Sequence, residues 1–161
     1  MLKRQHDNRL RQIERDIADV IAAITALIAD DKALARRYDI LTSIPGLGQI
    51  AAIALIADMP ELGTIEAKQI ASLAGLAPFA RSSGNWRGKA RIGGGRKTLR
   101  DAIYMPALVA ARFNNDLRDF YQRLITAGKP PKAAITAVMR KLIVLANALI
   151  RDNRCWTQNP A

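Results

Sequence analysis

The sequence predicts an almost all-α protein: a long N-terminal coiled-coil-like helix, then a compact helical domain containing a helix-hairpin-helix and a basic glycine-rich loop. Three observations carry that prediction. Apolar residues recur at helical spacing through most of the 161-residue chain. Pro, Gly and Asn fall between those runs, where helices start and stop. One stretch, residues 81–100, breaks the pattern with seven cations, five glycines and no carboxylate.

The elements follow in order. Leu10, Ile13, Ile17, Val20, Ile24 and Leu27 step by three and four residues, an a/d heptad seam with charges between. The seam predicts a long helix that either pairs with another helix or packs as an ordinary amphipathic helix on its own domain. Ile21 and Ile28 widen the stripe and favour more than one neighbour. A short helix follows from Lys32 to about Leu41. Ile44-Pro-Gly-Leu-Gly48 then leads into an apolar helix from Gln49 to Ala57, the pattern of a helix-hairpin-helix. Gly46 and Gly48 allow the tight turn, and the free N–H groups of the next helix can bind a phosphate. The alternative is a glycine turn that only packs two helices. Asp58, Glu61 and Glu66 nearby count against a DNA-facing surface.

Pro60 and Gly63 end that helix, and Thr64 is the expected cap of the next. It runs through Ala67, Ile70, Ala71 and Leu73, with Gly75 just past its end. Pro78 opens the basic segment, which is either a short hairpin or mostly loop. Helix resumes near Arg96 or Lys97 and continues through Leu99, Ile103, Tyr104, Leu108 and Ala111. Asn114 or Asn115 caps a helix from Asp116 to Thr126, closed by Gly128. Pro130-Pro131 starts the last helix, with Ala134, Val138, Leu142, Leu145, Ala146 and Leu149 as its apolar face. The tail after Asn153 is expected to fray. The expected division is a linking helix over residues 1–38, a domain over 39–153 and a flexible tail over 154–161.

Charge placement narrows the function. The formal net charge is +11, but residues 1–40 carry only +1 and residues 41–80 carry −2, so the surplus of +12 lies in residues 81–161. A one-sided basic field points first to nucleic acid and second to anionic lipid. The apolar runs read as too short or too interrupted to span a bilayer, so no membrane partner is expected. A single cysteine, Cys155, excludes an internal disulfide framework and a Cys-rich zinc site, and fits a reducing cytosol. His6 is the only histidine, which leaves little material for a Ser-His or Cys-His pair.

Within the basic segment, Arg81, Arg87, Lys89, Arg91, Arg96, Lys97 and Arg100 are candidate phosphate ligands. If all seven engage, the log-log salt dependence of DNA affinity has a slope of about −6. The arginines hold phosphate oxygens bidentately and the lysines act as point charges. Ser82 and Gly84 flank Ser83 as further backbone-contacting residues. Trp86 either stacks on a base or anchors the loop in the core, and with so few aromatics the anchor weighs slightly more. Ser82 and Ser83 are either phosphate-contacting or turn-forming hydroxyls, or one is a nucleophile that the surrounding guanidiniums would activate. Three functions remain open: a domain whose serine attacks phosphorus, a DNA-binding module without a covalent step, and an interaction protein assembled through the heptad helix.

Several separated motifs narrow these further. Ser83-Gly-Asn-Trp-Arg-Gly-Lys-Ala-Arg-Ile-Gly-Gly-Gly-Arg96 and Leu99-Arg-Asp-Ala-Ile-Tyr-Met-Pro-Ala-Leu-Val-Ala-Ala-Arg112 resemble the C-terminal serine-bearing domain of the insertion-sequence one-ten (110/116/902) family of transposases. Ile44-Pro-Gly-Leu-Gly48 and Leu73-Ala-Gly-Leu-Ala-Pro78 look like its entry motifs. Phe120-Tyr-Gln-Arg-Leu124, Gly128-Lys-Pro130 and Val138-Met-Arg-Lys-Leu142 look like its closing ones. The resemblance runs from about Leu41 to Asp152. It implies an RNA-guided DNA recombinase in which Ser83 attacks the DNA backbone, working in the bacterial cytoplasm near the nucleoid. Ser82 departs from the acidic residue often found there in the family. The resemblance also implies a RuvC-like domain, in cis or in trans, whose Asp-Glu-Asp-Asp set binds magnesium. No such strand-borne acidic set is visible in this sequence: Asp7, Asp16, Asp19, Asp30 and Asp31 fall on or near predicted helix. The expectation is therefore a truncated transposase, or a domain with a separate partner. It would be inactive alone, hold no metal or cofactor of its own, and assemble as a homo-oligomer through its N-terminal helix.

Overall fold

A computed structural model of the chain describes residues 2–79, 82, 83, 86, 87 and 91–157, with 82, 83, 86 and 87 described by their backbone pairing. The elements are α1 (Leu2–Asp30), α2 (Lys32–Thr42), α3 (Gln49–Asp58), α4 (Ala67–Leu73), β1 (Pro78–Phe79), β2 (Ser82–Ser83), β3 (Trp86–Arg87), β4 (Arg91–Ile92), α5 (Lys97–Phe113), α6 (Asn115–Thr126) and α7 (Pro131–Arg151). The chain divides into two compact units, Met1–Arg36 and Arg37–Ala161.

The first unit is dominated by α1. It contains no Gly or Pro, so nothing breaks it over 29 residues, and it begins well before the Leu10 expected from the seam. Leu10, Ile13, Ile17, Val20 and Leu27 are all exposed. Five of the six seam positions are thus in contact with water, and Ile24 is half-buried. Asp31 separates α1 from α2: its Oδ1 accepts from the N–H groups of Ala33 (2.8 Å) and Leu34 (3.1 Å), a side-chain N-cap.

In the second unit, α5 packs on α3, α6 and α7, and α4 packs on α7. Alanines make the close approaches possible: Ala52, Ala74, Ala107, Ala110 and Ala146 are fully buried beside Leu55, Leu99, Ile103 and Leu142. The small side chains let helix backbones come near one another while the long ones fill the space between. Asn114 caps α6 through Oδ1, which accepts from the Leu117 N–H at 3.2 Å. Pro131 stands in the first turn of α7, where its missing N–H leaves no bond unmade. The start of α4 differs from expectation. Thr64 donates its hydroxyl to Glu61 O within the preceding turn, and Glu66 is the N-cap, its N–H bonded to Gln69 Oε1 at 3.1 Å.

Two further findings differ from the sequence expectations. By length and composition alone α7 is apolar enough to cross a membrane. Its apolar side, however, is the core of the second unit: Ala134, Ile135, Val138, Leu142, Ile143, Ala146 and Leu149 are buried by neighbouring helices. The segment after Asn153, expected to fray, is held as far as Trp156. The Trp156 N–H donates to Ser43 Oγ at 2.8 Å, and Cys155 and Trp156 pack against the core. Residues 158–161 lie outside the described residues.

Asn147 is the buried polar residue of α7 and the fastener of the α3–α4 connection. Its Oδ1 accepts from the Gly63 N–H (2.7 Å) and its Nδ2 donates to Ile65 O (2.9 Å). Both arms of one amide satisfy backbone groups of a segment with no ladder of its own. Asn147→Ala leaves both unpaired, and urea unfolding is expected to show a loss of about 1–3 kcal/mol. An unchanged midpoint would show that the connection is held by other means.

Candidate nucleic-acid interface

The basic segment leaves the helical unit and returns to it as an antiparallel hairpin. Pro78 lies opposite Ile92 and Phe79 opposite Arg91. Further along, Ser82 lies opposite Arg87 and Ser83 opposite Trp86. Only Gly84 and Asn85 separate Ser83 from Trp86 in the chain.

The hairpin root is built from backbone contacts that only glycine permits. Gly75 closes α4: its N–H donates to Ser72 O and the Leu76 N–H to Ala71 O, both at 2.8 Å. This pair of bonds requires a left-handed residue, and Gly75 has φ +66°. Gly95, at φ +59°, lies against it. A Cβ on Gly95 would stand 2.5 Å from Leu73 O and 2.7 Å from Gly75 Cα. The Arg96 N–H then donates to Leu73 O at 2.8 Å, tying the return strand to the end of α4.

Two of the seven cations complete this root. Arg100 Nη1 donates to Gly94 O at 2.9 Å and reaches Gly75 O at 3.4 Å. Arg96 forks onto Glu61, Nη2 to Oε1 at 2.6 Å and Nη1 to Oε2 at 2.8 Å, and Nη1 also donates to Asp58 O at 2.8 Å. Charge-assisted, bidentate pairing fixes direction as well as distance. The hydrogen bonds from Arg96 hold the Glu61 carboxyl at about 2, down from an ordinary 4.5, and the same pairing raises Arg96. Asp58 Oδ2 accepts from Thr98 Oγ1 at 3.1 Å. The acidic residues that counted against a DNA-facing surface are thus used internally: Asp58 and Glu61 on the hairpin root, Glu66 as a helix cap.

The other expected ligands are placed differently. Lys97 pairs with Asp101 at 2.6 Å, both exposed on the surface of α5. A pair of this kind is worth about 0–1 kcal/mol and yields readily to a phosphate. Arg91 is exposed on β4. Arg81, Gly84 and Lys89 lie outside the described residues, as do the side chains of Ser82, Ser83, Trp86 and Arg87. Gly46 and Gly48 separate in role. Gly46, at φ +101°, brings its turn onto α5, where a Cβ would stand 2.7 Å from the backbone N of Ala110. Gly48 is the N-cap of α3, without a side-chain cap, and a Cβ there would meet nothing within 4 Å.

Among the described residues, no three His, Cys, Asp or Glu side chains gather as a metal cage. Asp7, Asp16, Asp19, Asp30 and Asp31 are each exposed. These carboxylates do not gather as a magnesium site requires. The sequence reading missed Glu61 and Asp58 as partners of Arg96. A signal was present: residues 41–80 hold three carboxylates and one cation, beside a segment of uncompensated positive charge.

The model of the family described as Transposase IS116/IS110/IS902 matches residues 38–122, which include the α2–α3 turn, the hairpin and all of α5. The chain belongs to the IS116/IS110/IS902 transposase family. It is 34% identical over 158 residues to the pilin gene-inverting protein of Moraxella bovis, covering 95% of this chain and 49% of that relative. It is 30% identical over 156 residues to the 44.8 kDa protein of insertion element IS116 from Streptomyces clavuligerus, covering 96% and 36%. With the 42 kDa protein of insertion element IS900 from Mycobacterium paratuberculosis it shares 33% over 127 residues, covering 75% and 31%. The chain spans about half the length, or less, of these transposase-family relatives.

The Glu61–Arg96 pair gives the root a pH signature. A carboxylate whose folded value is depressed stabilises the fold fully above its unfolded value, near 4.5, and loses that contribution as pH falls through about 2. The protection factor of the Arg96 N–H, its exchange rate relative to the intrinsic rate at each pH, is expected to fall as pH drops through this window in the native sequence. In Glu61→Gln, protection there is expected to be lower at neutral pH and independent of pH through the window. Equal protection in both proteins would remove Glu61 from the root.

Proposed function

We propose that this chain supplies DNA binding and strand transfer to a transposase of the family, with Ser83 as the nucleophile. The observation that carries the proposal is the register of the hairpin. Ser83 is paired opposite Trp86 in a short antiparallel ladder, inside the one stretch rich in cations and free of carboxylates. A nucleophile facing phosphorus needs a positive surround and a fixed backbone more than it needs a large cavity. Relatives named for inverting a pilin gene and for insertion elements support DNA as the substrate.

In this proposal the Ser83 Oγ–phosphorus bond forms as one phosphorus–oxygen bond to deoxyribose breaks. The serine proton passes to an acceptor and the freed deoxyribose oxygen takes one up, so the phosphodiester energy is kept for rejoining. The sole histidine, His6, lies on α1. The proton acceptor is therefore assigned to a RuvC-like partner domain, in cis or in trans, which would also supply magnesium and pair with a guide RNA. Arg81, Arg87, Lys89, Arg91 and Lys97 are the proposed phosphate contacts, with Arg96 and Arg100 holding the root. The exposed seam of α1 is proposed to pair with a second copy of the chain, as a coiled coil.

The alternative is a DNA-binding module without a covalent step. The N-terminus of α3 behind Gly48, which has no side chain to cap it, favours it, since helix N-termini can take a phosphate as a helix-hairpin-helix does. A nicked suicide DNA substrate separates the two. With a RuvC-like partner and guide RNA supplied, the native chain is expected to form a covalent protein–DNA adduct and Ser83→Ala none. An adduct that persists in Ser83→Ala overturns the assignment, and no adduct in either protein favours the module. Light scattering tests the seam: the native chain is expected at twice the monomer mass or more, and Ile17→Asp as a monomer. A native monomer contradicts the pairing.

A further inference from the structure

The hairpin root carries an aromatic ring that phosphate contacts leave unexplained. Phe79 on β1 is 46% exposed. Exposure alone decides nothing, because Phe113 on α5 is more exposed still. Position sets Phe79 apart. It lies in the β1–β4 ladder directly opposite Arg91, which is also exposed. Opposed residues share one face of an antiparallel ladder, and successive residues alternate between faces. Ile92 packs against the helical core, so Phe79 and Arg91 stand on the face turned away from it.

The ring is also seated. Gly93 follows Arg91 by two residues, so it lies on the same face, diagonal to Phe79. A Cβ on Gly93 would stand 3.1 Å from Phe79 Cε1 and 3.3 Å from Cζ, closer than carbon atoms sit at ease. Glycine at this position lets the outer edge of the ring rest on the return strand while the rest of it meets water. A ring already placed loses little freedom when a ligand covers it. The ring and its neighbour also restrict that ligand. An apolar protein surface would bury the Arg91 guanidinium unpaired, within a segment of seven cations and no carboxylate. A nucleotide matches both groups: its base stacks on the ring and its phosphate meets the guanidinium. In a paired duplex the faces of a base are covered by its neighbours, so only an unpaired base can offer one.

We propose that Phe79 and Arg91 hold an unpaired base of the DNA strand and its phosphate, an inference that rests on the reading of the hairpin as a DNA-binding element. Ser83 is four residues along the chain from Phe79. Their Cα atoms are therefore no more than about 14 Å apart, the length of a few nucleotides. A strand that changes partners leaves one duplex before it joins another, and its bases lose their stacking on the way. Phe79 takes up that lost stacking close to the phosphate that Ser83 would attack.

Fluorescence anisotropy of the full chain tests it, with labelled DNA duplexes of equal length, one fully paired and one carrying a short unpaired bubble. The bubble is expected to bind about tenfold more tightly. Replacing the bubble's nucleotides by abasic sites keeps the flexible backbone and removes the bases. The preference is expected to vanish there, a comparison that needs no variant. Phe79→Leu keeps an apolar group on Gly93 without an aromatic face, and is expected to lose the preference; Phe79→Trp is expected to keep it. Equal binding of bubble and paired duplex by the native chain would overturn the proposal. So would a preference that survives in the abasic bubble or in a folded Phe79→Leu, or several-fold tighter binding to the same bubble made of RNA. A missing preference with salt-sensitive duplex binding intact refutes this site alone and leaves the hairpin reading standing. Salt-insensitive binding, or none, to both duplexes refutes the hairpin reading and this site with it.

Discussion

The Arg96 guanidinium is the point on which the rest of the interface depends. A segment of seven cations repels itself, and its glycines give the backbone little stiffness. Something of opposite charge has to hold it to the helical unit. Glu61 does so, from the connection after α3, through two parallel charge-assisted bonds, while Asp58 O takes a third. Around that fork the backbone is fitted closely: Arg96 N–H to Leu73 O, and Gly95 against Gly75. The guanidinium gives direction and the glycines give distance, and the hairpin leaves the domain along a defined path because both are met at once.

This arrangement divides a run of cations that looks uniform into two groups. Arg96 through Nη1 and Nη2, and Arg100 through Nη1, donate to the protein's own oxygens. Arg91 on β4 and Lys97 at the start of α5 stand exposed. The division suits the DNA-contacting role proposed for the segment. Cations that hold the root cannot also follow a moving phosphodiester, and cations that follow it cannot be counted on to hold the root. The Asn147 clamp does the same service one step deeper, fixing the connection from which Glu61 projects.

Much of the helical framework was legible in the sequence, because caps and periodicity are local. Gly75, Gly128, Asn114 and Pro131 mark ends that the structure places within a residue or two. The cap of α4 was misplaced because Thr64 and Glu66 are both competent, and only the Glu66–Gln69 reciprocal bond decides between them. The sequence does not separate the hairpin from a loop because its ladders are two residues long, too short for a period to show. The partners of Arg96 were invisible for another reason. Glu61 lies 35 positions away, and no local pattern links an ion pair across a fold. The same holds for Trp156, whose anchor Ser43 is 113 residues distant. Of the site itself, the basic character and the family motifs could be read, but the sorting of its cations required the fold.

The salt dependence of DNA affinity tests that sorting most directly. Five contacts, without Arg96 and Arg100, correspond to a log-log slope of about −4.5 for the native chain, against about −6 for all seven. Arg91→Met is expected to flatten the slope by about 0.9 with unfolding unchanged. The charge-neutral double variant Glu61→Gln with Arg96→Met is expected to lower stability and leave the slope where it was. A native slope near −6, or a double variant that flattens the slope as much as Arg91→Met, would contradict the account. Either result would return Arg96 to the phosphate-binding set.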